Sequence, residues 1–489
     1  MKGDFTRDTF DPTNHFSRVL AQQGRVTVDA DPNEQTAILL YYLRTLARDL
    51  IGPYAAPIEN AGFALSFDAS AGDLVIGAGR YYVDGILVEN DTACDYSAQP
   101  DYPVPAKDPL AAEIANQTGL VFWIYLDVWE RHITYIEDDD IREKALNGPD
   151  TCTRAQVVWQ VKGLLQQGMT AAQEGSATCA APLTGLVAVN KATLAARVDP
   201  GQKIVNACVT PPDSKYRGTE NQLYRVEIHN GGTATGDATG ATFKWSRDNG
   251  SVVSAWLGTA GNDLQVSHGR GFAAGNWVEL TDDTQELQGS PGLLVQLTKV
   301  QGDTLSVDPN SVPPSSTIAW SAGLVNPKVR RWDQTGNENT QLVQGAVRVR
   351  ERGIDRPLWI DLEDGIQVEF SRGGQYRTGD YWLIPARVST GKVEWPTSVD
   401  ASGNTVADFL PPDGIEHHYA PLGFVSLRNK TLTQKSCGCH FEPLSSCFQL
   451  GSAAVGTQLL RPANFGARLT AEETVAAARH AGIKKKKNQ

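Results

Sequence analysis

The sequence predicts a mainly β, multi-domain chain, on three observations. Gly and Pro, 46 and 26 of 489 residues, are scattered between many short apolar runs. Those runs end at turn signals such as Asp84-Gly85, Pro291-Gly292 and Gly302-Asp303, dipeptides that favour tight turns between strands. Helical character is confined to 33–51, to 471–481 and, more weakly, to 108–116. The expected architecture is a series of β-sandwich and small-barrel modules. An extended arm and an amphipathic helix precede it, and a short C-terminal helix follows.

The N-terminal element, 1–53, opens with the polar arm Lys2-Gly3-Asp4-Phe5-Thr6-Arg7 and closes at Gly52-Pro53. Asp31-Pro32-Asn33-Glu34 has the spacing of a capping box, with Pro32 where no N–H is needed. Leu39, Leu43, Leu46 and Leu50 then fall at intervals of four, three and four, which makes a seam on one helical face. Leu40, Ala47 and Ile51 widen it. Such a helix either packs on its own domain or bundles with copies of itself or a neighbour. Two heptads are too short to stand alone, so a bundle would need the following domains.

The first β domain is expected over 54–210. Its strands include 73–76, a hairpin at 79–89 around Asp84-Gly85, a long apolar strand at 120–129 that pairs with 133–136, and 153–161. Residues 164–183 read as a surface insertion. A second β domain, 211–340, starts with strand 224–228. It continues with a hairpin of 243–245 and 252–256 around Asp248-Asn249-Gly250, then short strands over 264–308 at barrel or sandwich spacing. A third β domain, 341–430, carries strands at 346–349, 366–370 and 381–384. Phe272-Ala273-Ala274-Gly275-Asn276-Trp277 and Tyr376-Arg377-Thr378-Gly379-Asp380-Tyr381 share one pattern, which hints at related modules. The last segment, 431–489, holds cysteines, a helix and a lysine tail.

Composition excludes several function classes. A net charge of −12 argues against nucleic acid as a partner, because phosphate binding needs a basic face. The run 484–487 is a terminal lysine tail. The charged start, with Lys2, Asp4, Arg7 and Asp8, does not read as a signal peptide. The longest apolar run, 119–126, is too short for membrane insertion. Seven Cys at 94, 152, 179, 208, 437, 439 and 447 form no disulfide framework and fit synthesis in a reducing cytoplasm.

Few residues point to chemistry. Cys437, Cys439, His440 and Cys447 put three thiols and an imidazole within eleven residues, a ligand set for zinc or iron or for linking subunits. The alternative is a loop of free or packed thiols. Asp138, Asp139 and Asp140 lack calcium-loop spacing and read as a solvated turn. His417 and His418 beside Glu416 are either ligands or hydrogen-bonding strand residues. No nucleophile elbow, phosphate loop or zinc-protease helix is present in the sequence, so the chain is read as non-enzymatic. Eleven Trp and fourteen Tyr serve a β core as readily as a sugar-stacking face.

Several segments resemble a known family. Met1-Lys2-Gly3-Asp4-Phe5-Thr6-Arg7 leads into His15-Phe16-Ser17-Arg18 and then Val28-Asp29-Ala30-Asp31-Pro32-Asn33-Glu34. This head is similar to that of an uncharacterised bacterial family encoded among phage-tail-like contractile injection systems. Members usually have Trp where this chain has Pro32. Tyr82-Val83-Asp84-Gly85, Phe243-Lys244-Trp245-Ser246, Arg330-Arg331-Trp332-Asp333 and Tyr376 to Trp382 also look like that family, so the likeness covers most of 1–430. Some of these phrases are also similar to stretches of phage baseplate and tail-fibre proteins.

The resemblance implies a baseplate subunit or tail appendage, made in the cytoplasm and built into a tail-like particle. Its partners would be other particle subunits and sister copies, with a trimer compatible with the Leu seam. It implies no catalytic residues. Phe5, Phe16, Leu39, Leu43, Leu46 and Leu50 are then the candidate interface residues, since extended arms and apolar helix faces dock well on neighbours. A fibre-like module that binds a surface glycan or protein is the alternative. A glycan or cell-wall hydrolase is the third reading, and would need two carboxylates about 5–10 Å apart.

Overall fold

In the first layer of the fold a 16-residue strand, Thr118–Ile133, runs through the middle of a sheet. The computed structural model describes residues 1–442 except 149, 171–172, 174–176, 181, 187–190, 202–214, 236–238, 337–339 and 355. The helix expected at 471–481, the lysine tail and Cys447 lie outside the described residues. Met1–Phe441 forms one compact unit, and of the second, Glu442–Gln489, only Glu442 is described. The fold is mainly β, with several sheets and few helices.

Thr118–Ile133 pairs on one side with Arg154–Leu165, in register from Phe122↔Leu165 to Ile133↔Arg154. On the other side it pairs with His418–Arg428, which in turn pairs with Thr431–Ser436. The expected pairing of 120–129 with 133–136 does not occur. The strand continues through Glu130, Arg131 and His132, and 134–137 is a turn. A strand with neighbours on both edges and both faces covered reads as one unbroken apolar run. A smaller sheet holds Tyr54–Pro57, Gly79–Val83 and Ile86–Asn90. Its Asp84-Gly85 turn is the two-residue hairpin expected, with φ of 49° and 82°. The shared core includes Phe63, Ile124, Leu126 and Trp159.

The next module is a sandwich. One sheet centres on Gln222–Asn230, flanked by Thr242–Ser246 and Tyr381–Arg387. The other contains Leu194–Val198, Ile360–Asp361 and Ile366–Phe370. Between them lie Tyr224, Phe243, Trp245, Phe370 and Trp382. A closed six-stranded barrel runs from Val253–Ala260 to Lys328–Trp332, around Leu264, Val278, Leu297 and Val329.

Three of the expected domain boundaries are corrected by these pairings. Residues 418–441 return to the first module, so 54–210, 341–430 and 431–489 are not separate blocks. The barrel is inserted into the sandwich, so 211–340 contains parts of both. Asp248-Asn249-Gly250 is accordingly not a hairpin turn: Thr242–Ser246 belongs to the sandwich and Val253–Ala260 to the barrel. The turn carries the chain between them, with Asn249 and Gly250 at φ of 51° and 64°. The shared pattern at 272–277 and 376–381 marks one kind of entry turn, in the barrel and in the sandwich respectively. Gly275 and Gly379 supply the positive φ, and the modules around them differ.

The helix α1, Ala30–Ile51, starts three residues earlier than expected. The capping box does not form. Asp31 accepts from the Val28 N–H at 3.2 Å, and Glu34 accepts from Thr9 Oγ1 at 2.6 Å. The arm, folded back over the first turn, supplies partners that a local sequence reading assigns to the helix itself. Gly52 ends α1 at φ 94°, its N–H bonded to the Arg48 carbonyl.

Candidate functional site

Two features stand out: an uncovered face on α1, and a charged junction beneath the start of the arm. The arm is seated at its beginning. Gly3 N donates to the Asn249 carbonyl, and Asn249 Nδ2 donates to the carbonyls of Met1 at 3.0 Å and Gly3 at 2.9 Å. Arg387 donates to the Thr6 carbonyl, Arg7 pairs with Glu394, and Thr6 N donates to Asp29. Phe5 is half-buried, edge-on to His132 at 6.1 Å between ring centres. Phe5 therefore docks the arm within its own chain and is not part of the open face expected for it.

Residues 11–28 are exposed almost throughout. Phe16, Leu20, Val26 and Val28 are among the exposed apolar side chains. α1 buries Ala30 and Ile38, whereas Leu39, Leu43, Leu46 and Leu50 are 53–63% exposed. The seam read from the sequence exists, and its leucines face solvent. The helix is fixed from its other side: Arg44 forms a two-point bond with Glu130 at 2.8 and 3.2 Å, and Arg48 lies 3.7 Å from Asp84.

The junction lies where the arm, the first module, the sandwich and the barrel meet around a cavity of about 300 Å³. Its ions come from strands in which charge alternates with apolar residues, such as Arg225-Val226-Glu227 and Lys328-Val329-Arg330. Glu227 holds Lys2 at 3.2 Å, Lys244 at 3.3 Å and Arg225 at 2.6 Å. Glu279 holds Lys244 at 2.5 Å and accepts from Trp332 Nε1 at 3.0 Å. Burial alone would raise both carboxyls. Lys2, Arg225 and Lys244 instead hold Glu227 well below its usual range, and Lys244 and Lys2 bring Glu279 to about 2. Burial lowers His132 to about 3 and His229 to about 4, so both are neutral at pH 7.

Glu137, Asp283 and Glu286 place carboxylate oxygens within 4.8 Å of one another, the geometry of a cation site. The cation present there is Lys328, whose Nζ touches Glu137 and lies 3.0 Å from Asp283 and 3.1 Å from Glu286. Arg131 adds a second positive charge, 2.5 Å from Asp283. Two cations from within the chain thus occupy the trio and offset most of its charge. Sequence reasoning missed this junction because charge alternating along a strand looks like a solvated face. The usable signal was the opposite-charge register of Glu227 across from Lys244.

The other sequence candidates are dispersed. Cys437 is bonded to Cys179, 258 residues away, so its sulfur is not a free thiolate for zinc or iron. Cys439 and His440 are exposed at a sheet edge, where the Cys439 carbonyl accepts from Ala56 N. Asp138 caps a 3-10 turn, while Asp139 and Asp140 pair with Arg142 and Lys144. His417 bonds Asp127 at 2.6 Å and stacks on Trp129, and His418 bonds Asp84 at 3.0 Å. Each histidine is held by a carboxylate.

No curated protein and no solved structure matches this chain. A family model matches it over residues 1–181 and again over 181–489. The chain belongs to that family, described as a family of unknown function (DUF6519).

Proposed function

We propose that the chain is a structural, non-catalytic subunit of a phage-tail-like contractile injection particle, placed at the baseplate or carried as an appendage or adaptor. The particle rests on the sequence resemblance. The mode of assembly rests on one observation: Leu39, Leu43, Leu46 and Leu50 face solvent on a helix that is clamped to the body by Arg44 and Arg48. A row of exposed leucines on a helix bonded to the body from its other side favours an interaction surface over a loose core helix. Phe16, Leu20, Val26 and Val28 on the neighbouring loop add apolar area. Covering the half-exposed leucines contributes about 1 kcal/mol each. The occupant is the α1 face of a sister copy, with other particle subunits around it. The buried Trp123, Trp245, Trp332 and Trp382 sit in cores, which favours this reading over a glycan-binding face.

The test is to isolate contractile particles from cells that make the chain and blot for it. The wild type co-sediments with the particles, and Leu43→Asp with Leu46→Asp is lost from them while remaining folded. Absence of the wild type from the particles, or retention of the double variant, refutes the proposal.

A further inference from the structure

At the junction, the lysine and arginine side chains Lys2, Arg44, Arg131, Arg225, Lys244 and Lys328 each have a carboxylate partner. Arg330 has none within ion-pair distance among the described residues. It is 5% exposed, lines the 300 Å³ cavity, and makes one hydrogen bond, from one terminal nitrogen to the Gly250 carbonyl. Among the described residues its Nε has no partner, and neither has Nε2 of His132 on the same cavity wall. Glu286, a carboxylate that feels the Arg330 charge, is already engaged by Lys328 and Arg131. A buried guanidinium with no carboxylate in direct contact leaves donors unused, and its planar fork matches carboxylate and phosphate oxygens.

We propose that this cavity binds a small oxyanion, a carboxylate or phosphate group, with Arg330 as its principal ligand and His132 beside it. Glu137, Glu227, Glu279 and Glu286 also line the space, so they confine the anion to the Arg330 side and limit its size. The site is independent of the α1 face.

Thermal unfolding of the full chain at pH 7 and constant ionic strength tests this, with chloride replaced stepwise by inorganic phosphate or by acetate. The wild type is expected to melt higher with the logarithm of anion concentration once above Kd, by about 2–3 °C at a hundredfold excess. The responding anion names the group. Arg330→Met should lose the response while still melting cooperatively in chloride. Arg330→Lys keeps the charge without the fork and should lose most of the response. If Arg330→Met does not fold, the wild-type titration and Arg330→Lys decide. No rise with either anion beyond that in chloride, or a response equal to wild type in the variant that folds, overturns the proposal.

Discussion

Gly85 lies directly beneath the backbone of Arg44. A Cβ added at Gly85 would stand 2.7 Å from the Arg44 carbonyl carbon and 2.8 Å from its Cα, and Gly85 has a φ of 82°. The hairpin turn is thus the floor on which α1 rests, and only glycine fits both the turn and the contact. Gly85→Val should lift the helix and cost about 2–3 kcal/mol. Limited trypsin digestion would show it as faster cleavage after Arg44 and Arg48. Unchanged cleavage would mean that α1 is held some other way.

Lys328 is the counter-ion of three carboxylates and its side chain is fully buried. Lys328→Met removes the cation paired with Glu137 and leaves Asp283 and Glu286 paired with Arg131. The expected loss is about 3–5 kcal/mol, read from urea unfolding at pH 7. Adding Glu137→Gln and Glu286→Gln should recover part of it. A single variant as stable as wild type would show that the cluster is not compensated by Lys328.

The junction makes acid sensitivity predictable. Glu227, Glu279 and Glu286 all titrate below their usual range in the folded chain. Their contribution is complete above the unfolded value of about 4.3 and is lost as pH falls through the folded values. Stability should therefore drop steeply between about pH 4.5 and 2. Circular dichroism melts over that interval check it, and a flat profile down to pH 3 would contradict it.

The Cys179–Cys437 bond closes a loop of 258 residues, and the loop-entropy relation gives it about 5.6 kcal/mol. Alkylation of unfolded, unreduced protein should label no more than five of the seven cysteines, and all seven after reduction. Seven labelled before reduction would mean that the two sulfurs are thiols.

Local features were legible in the sequence. The Asp84-Gly85 hairpin, the leucine spacing of α1 and the β character follow from near-neighbour chemistry. What was not legible depends on distant partners. Gln222–Asn230 pairs with Tyr381–Arg387 across an inserted barrel, and no periodicity reports that. Cys179 meets Cys437 for the same reason, so spacing alone placed Cys437 in a metal set. Phe5 looked like an interface residue because the partners that seat its arm, His132 beside Phe5 and Asn249 beside Gly3, come from distant modules. The Glu227, Lys244 and Glu279 cluster was hidden because a buried ion and a solvated one have the same sequence pattern.

The most direct test of assembly through α1 is the mass in solution, by light scattering, of the wild type and of Leu43→Asp with Leu46→Asp. Assembly through α1 requires a defined multiple of the 52.9 kDa chain for the wild type, and a monomer with the same circular dichroism spectrum for the double variant. Equal masses for the two proteins would contradict it.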